Sequence, residues 1–267
     1  MRNRHHFFVV LGLSFASLCG FTTAASLTFN DVPADFGHID QTTEPDIINP
    51  TQACAPTSVY NSLVYLNDKY GVDLTGPDPA TTINEIGQDM GLTENNAGVS
   101  EQGIIDGKTQ YIQEHDHDNK ITIETKIDVA NGVADAAQFI YDQLAAGQDV
   151  EMIFRWSDTD GNRSGGGHAV TVTGIDFNPS TGTGTINIDD PWGGVDITGN
   201  LHLANNALVV GYTGGAAGDE TVNDEDDNPQ DANFGVVTLV AAESVPEPTA
   251  VAITMLLLTG AMRLRVR

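Results

Sequence analysis

Three short stretches of this sequence carry residue types suited to acyl-transfer chemistry. The first, Gln52-Ala53-Cys54-Ala55-Pro56-Thr57-Ser58, reads as a turn that delivers a cysteine to the start of a helix. Pro56 suits the first helical turn, where its missing N–H leaves no bond unmade. Thr57 and Ser58 can satisfy other free amides there. Val59, Leu63 and Leu66 follow at i, i+4 and i+7 and give one apolar face. Cys54 thus sits at the positive end of a helix macrodipole, a field that favours the thiolate, which is the nucleophile. The competing use of a free cysteine is as a small buried hydrophobe.

The second stretch, Gly165-Gly166-Gly167-His168-Ala169-Val170-Thr171-Val172, puts a histidine at the mouth of a strand. The glycines let the backbone turn and leave the imidazole approachable, as a general base requires. The third runs from Thr185 through Asp189, Asp190 and Pro191 to Gly194. On a strand, Asp190 shares the parity of Ile186 and Ile188, whereas Asp189 opposes it. If that face is inward, the Asp190 carboxylate can orient the second nitrogen of His168 and stabilise its charged form.

Cys54-Ala55-Pro56, Gly167-His168-Ala169-Val170 and Asp190-Pro191 come in the order of papain-like peptidases. They resemble the Cys-Gly-Pro, Gly-His and Asp-Pro motifs of cysteine-peptidase family 39, the bacteriocin leader-processing peptidases and their stand-alone relatives. The resemblance spans about residues 40 to 195. It implies Cys54 as nucleophile, His168 as base and then acid, and Asp190 as the orienting carboxylate, acting on a peptide or protein substrate with no cofactor and no metal. Ala55 departs from the family's glycine, so the turn after the nucleophile can differ. The family's oxyanion-hole glutamine lies several residues before the cysteine; here Gln52 is nearest, with Asn49 as the alternative. No transporter domain is read in the sequence, so a double-glycine leader substrate does not follow. A non-catalytic surface or matrix protein that keeps the fold, and acyl transfer to an amine at the same site, are the rival functions.

The elements that must position these residues are read from periodicity. Helices are expected over the Cys54 stretch, around Thr82 to Met90, from about Ser100 to Gln113 and over Val133 to Ala146, which Gly147 stops. Strands are expected at Ile121 to Thr125, Val150 to Phe154, His168 to Ile175, Gly184 to Ile188, Leu208 to Tyr212 and Phe234 to Val240. Helices first and then hairpin-linked strands imply an α+β, papain-like fold, with the helices of the N-terminal half packed on a mostly antiparallel sheet from the C-terminal half.

Both ends read as targeting signals, which leaves one domain over residues 26–244. Residues 1–25 carry Arg2 and Arg4, an apolar run and small residues, the pattern of a secretory signal. Cys19 would leave with it, and Leu18 is too large for the residue preceding a lipidated cysteine. Cys54 then remains alone and cannot form an internal disulfide. Residues 245–267 place Val245-Pro246-Glu247-Pro248 before a short apolar run and Arg263, Arg265 and Arg267. This resembles the PEP-CTERM sorting signal of Gram-negative bacteria. It implies an exosortase-type partner, transient inner-membrane insertion, and export to the cell surface or exopolysaccharide matrix.

The formal charge of the chain is −26. The 26–244 domain holds six of the 11 Lys and Arg and 36 of the 37 Asp and Glu, a formal charge of −30. Such a field repels phosphate backbones, so nucleic acid is not an expected partner. Three acidic groupings could attract cations: His115-Asp116-His117, Asp158-Thr159-Asp160-Gly161-Asn162 and Asp224-Glu225-Asp226-Asp227. None has the spacing of a calcium-binding EF-hand loop.

Overall fold

The computed structural model of the protein describes residues 25–30, 36–118, 120–214 and 234–245. The signal-like N-terminal segment up to residue 24, the acidic grouping Asp224 to Asp227 and the tail from residue 246 lie outside the described residues. The described helices are α1 (Cys54–Tyr70), α2 (Pro79–Asp89), α3 (Glu101–His115) and α4 (Ala136–Ala145). Their ends follow local chemistry. Asp78 accepts the Thr81 N–H at 2.9 Å ahead of Pro79, so α2 starts a turn earlier than its apolar pattern alone suggests. Ser100 accepts the Gly103 N–H at 3.1 Å and starts α3. Gly71, with φ 68°, ends α1 in the left-handed conformation and donates to the Asn67 carbonyl at 2.8 Å.

The strands are β1 (Leu27–Asn30), β2 (Thr122–Ile127), β3 (Glu151–Ser157), β4 (Arg163–Asn178), β5 (Thr183–Asp190), β6 (Val195–Ala204), β7 (Ala207–Gly211) and β8 (Phe234–Ser244). The expected papain-like layering of helices on an open sheet is corrected here. Strands β3, β8, β7, β6, β5 and β4 pair in that order, all antiparallel, and β4 pairs again with β3. The result is a closed six-stranded barrel, with β1 added to β4 and β2 to β8.

Two features close it. The first part of β4, up to Thr171, pairs with β3, while Thr171 to Asn178 pair with β5. A register shift between Val172 and Gly174 accompanies the change of partner. The second feature is β6, a strand absent from the sequence expectation, which bridges β5 and β7. Closure removes the free edges that an open sheet leaves unpaired.

Burial alternates accordingly. Met152 and Phe154 of β3 join Val172, Ile188, Val210 and Val237 in one apolar core. Ile153 points the other way and packs with Ala169, Leu239 and the apolar residues of α1, α2 and α3 in a second core. β3 is therefore apolar on both faces. α1 is buried on nearly all sides, including Thr57, Ser58, Asn61 and Ser62, so its polar side chains must find partners inside.

Candidate active site

Cys54 is the first residue of α1, and no side chain caps the helix there. Its sulfur accepts the backbone N–H groups of Ala55 and Ala169. Ala169 is the neighbour of His168 on β4, so one amide already links the helix start to the histidine strand. Ser58, one turn further along α1, donates to the Ala169 carbonyl at 2.9 Å, and Thr171 donates to the Ser58 carbonyl at 2.9 Å. These two buried bonds fix the position of Cys54 relative to His168. Gly166 is the extra residue of a bulge, since Arg155 faces Gly167 while Trp156 faces Gly165. Its φ of +23° is one that a side chain rarely adopts. The bulge re-aims β4 just before His168.

His168 Nε2 lies 2.7 Å from Asp190 Oδ1. That oxygen also accepts the Trp192 N–H at 3.0 Å, and Tyr212 donates its hydroxyl to Oδ2. With Nε2 engaged by Asp190, the ring nitrogen left for the Cys54 sulfur is Nδ1, and the thiol and imidazole are hydrogen-bonded. Asp190 is wholly buried and His168 nearly so; the histidine is less open than its glycine-rich approach suggests. Trp156 lies nearly parallel to the imidazole, at 8° and 6.3 Å. Phe154 and Tyr212 meet it edge-on at 5.9 and 5.5 Å. These rings shield the His168–Asp190 bond from water, and that strengthens it.

The electrostatics follow. Burial alone would push the Cys54 thiol up, but the hydrogen bond and charge of His168, with the two amides, bring it below its ordinary 9.0. Burial alone would push His168 down, but its bonds to Asp190 and Cys54 and their charges raise it from 6.5 to about 9. The two shifts favour one state, thiolate beside imidazolium.

Cys54 and His168 lie on the wall of a cleft of about 380 Å³, also lined by Gln41, Gln52, Glu101, Arg155 and Trp192. The structure thus brings Cys54, His168 and Asp190 into one hydrogen-bonded series. It places Gln52, the last residue of a 3-10 turn over Pro50–Gln52, on the same cleft. Asn49 turns elsewhere: its side-chain amide donates to the carbonyls of Thr93 and Asn96, at 3.0 Å each.

Gln41 is a residue that sequence reasoning missed. It is wholly buried, its backbone N–H donates to the Pro191 carbonyl at 2.8 Å, and its Nε2 donates to the Pro50 carbonyl at 2.6 Å. The Glu101–Arg155 pair, with Nε–Oε1 and Nη2–Oε2 both at 2.6 Å, was also unforeseen.

The acidic groupings in the described residues are otherwise engaged. His115 pairs with Glu85 at 3.0 Å and stacks on Tyr111, while Asp116 accepts the Ile121 N–H at 2.7 Å. Asp158 accepts the N–H groups of Asp160 and Asn162 at 2.9 and 2.8 Å and so closes its own turn.

The model of the Peptidase_C39 like family covers residues 33–213, a span that contains Gln41, Cys54, His168 and Asp190. No curated protein matches the chain. The chain belongs to the Peptidase_C39 like family, and its barrel-and-helix domain is cysteine-peptidase-like.

Proposed function

We propose that the protein is an exported thiol hydrolase that cleaves a peptide or amide bond through Cys54, His168 and Asp190. The observation that carries this reading is the continuous hydrogen-bonded series from the Cys54 sulfur through His168 to Asp190, opening on a cleft. The thiolate attacks the substrate carbonyl and the carbon–oxygen electrons move onto oxygen. The Cys54 N–H, free of an intrahelical acceptor at the helix start, and a glutamine side chain then stabilise the oxyanion. His168, as imidazolium, protonates the leaving amine, and an acyl-enzyme remains. His168 then takes a proton from water, whose oxygen attacks the thioester, and Cys54 leaves as thiolate. Asp190 holds Nε2 so that Nδ1 keeps facing sulfur.

Gln41 is the better-placed oxyanion donor. It is locked by the Pro50 carbonyl, whereas Gln52 stands partly exposed at the cleft rim. Export, with removal of residues 1–25 and recognition of residues 245–267 by an exosortase-type enzyme, rests on the sequence of the two ends. Turnover of a fluorogenic peptide library, with Cys54→Ala as control, tests the reading. Signal lost in Cys54→Ala supports it. A well-folded wild type that binds peptides without turnover would make the domain a binding module.

A further inference from the structure

The residue next to Asp190 belongs to a second cluster that the proposed reaction does not use. Asp189 of β5 is the direct cross-strand partner of Asp196 of β6. His38, from the segment before α1, approaches them with its backbone in the left-handed region, φ 53°. Its Nδ1 lies 3.1 Å from Asp189 Oδ1. One nitrogen or oxygen from each of the three side chains lies within 4.8 Å of the others. Asp189 is wholly buried, yet its Oδ2 accepts no hydrogen bond. A buried carboxylate oxygen with no donor is costly, and a cation supplies the missing partner. His38 is about a third exposed and Asp196 is exposed, so the cluster opens to solvent for entry of an ion and for water ligands.

We propose that His38, Asp189 and Asp196 form a binding site for a divalent first-row transition cation, with Zn²⁺ as the best fit. One imidazole and two carboxylates are a mixed nitrogen and oxygen set, which suits zinc better than calcium, an ion that takes six to eight oxygens. Zinc holds such ligands at roughly 2.0–2.2 Å, which puts neighbouring ligand atoms about 3 Å apart. The 3.1 Å between His38 Nδ1 and Asp189 Oδ1 matches that edge.

The site has a mechanical consequence. The segment after His38 is laid on the turn after Asp190: Asp40 accepts the Gly193 N–H at 3.0 Å and Gln41 donates to Pro191 at 2.8 Å. An ion held by His38 from one side and by Asp189 and Asp196 from the other clamps the segment bearing Gln41 to the strand bearing Asp190. The effect on turnover rests on the hydrolase reading; the binding does not.

The test is calorimetric titration of Zn²⁺ into the chelator-treated full chain carrying Cys19→Ala and Cys54→Ala, which removes both thiols as competing ligands. Saturable one-to-one binding is expected, with Ca²⁺ much weaker and a Zn²⁺-dependent rise in Tm. His38→Ala and Asp196→Asn should each weaken binding by more than the ~10–100-fold that loss of a supporting outer partner costs. His115→Ala, in the separate Glu85–Glu114–His115 group, should leave it unchanged. No saturable binding overturns the proposal. So does binding that survives both His38→Ala and Asp196→Asn, or that disappears with His115→Ala.

Discussion

Two glutamines line the cleft that holds Cys54, and they should not be equivalent. Gln41 is buried and held at its side chain by Pro50, so its second amide hydrogen is pre-positioned; Gln52 is partly exposed. Gln41→Ala should lower kcat by ~10²–10³-fold, the cost of one oxyanion donor. Gln52→Ala should cost under tenfold, and steady-state kinetics of the two variants check the ranking. Titration gives a second prediction. In the proposed reaction His168 protonates the leaving amine, and its bonds to Asp190 and Cys54 raise it from 6.5 to about 9. Activity should therefore hold through neutral pH and fall above about pH 9 as the imidazolium is lost. Tyr212→Phe removes a donor that competes with His168 for the Asp190 carboxylate, so it should move that alkaline fall to higher pH. Cys54, His168 and Asp190 were legible in the sequence because each stands in a short local pattern. Gln41 was not, because an irregular loop punctuated by Pro45 and Pro50 returns it to the cleft, and no periodicity encodes such a return.

At the scale of elements, α3 is tied to the barrel by Lys108. It is buried against Glu151 of β3 and Glu243 of β8, with Asp149 in the same cluster. Burial pushes the Asp149 carboxyl well above the usual range, and the charge of Glu151 adds to it. Its folded pKa exceeds the unfolded one, so the native state holds that proton more tightly. Its contribution to stability is thus present at low pH and lost as pH rises above about 4 through the folded value. Lys108→Met removes the cation that pairs with Glu151 and Glu243 and should cost about 3–5 kcal/mol at pH 7. Urea denaturation should show part of that loss recovered at pH 5, where the carboxylates can share protons. A pH-independent loss would mean that Lys108 matters for packing alone. The helices and most strands were legible from periods of 3.6 and 2, whereas the early start of α2, set by the Asp78 cap, was not. Closure of the barrel was not. β6 alternates Val195, Ile197, Gly199, Leu201 and Leu203, but a glycine sits at its centre and His202 and Asn200 interleave, so its apolar signal is weak. Without it the remaining strands read as an open sheet.

Across the whole molecule, charge is the dominant global feature. A formal −26 on 267 residues implies self-repulsion that salt screens within about 10 Å at 0.1 M. Tm should rise with NaCl, by roughly 2–4 °C for each kcal/mol of repulsion relieved. A flat salt titration would show that the acidic groups are too dispersed to repel. The site itself is also a whole-molecule product, since the thiol comes from a helix start, the imidazole from β4 and the carboxylate from the end of β5.

The claim that these three act as one unit is tested most directly by the alkylation rate of Cys54 in the native protein as a function of pH. Iodoacetamide should react rapidly at about pH 6, where an ordinary thiol of pKa ~8.5 is almost wholly protonated. The rate should stay nearly flat up to pH 8. His168→Ala should slow it at least tenfold at pH 6, because the hydrogen bond and charge that lower the thiol are gone. Asp190→Ala should slow it less, because Asp190 acts through His168. A Cys54 that labels only after denaturant is added, with no dependence on His168, would contradict the account.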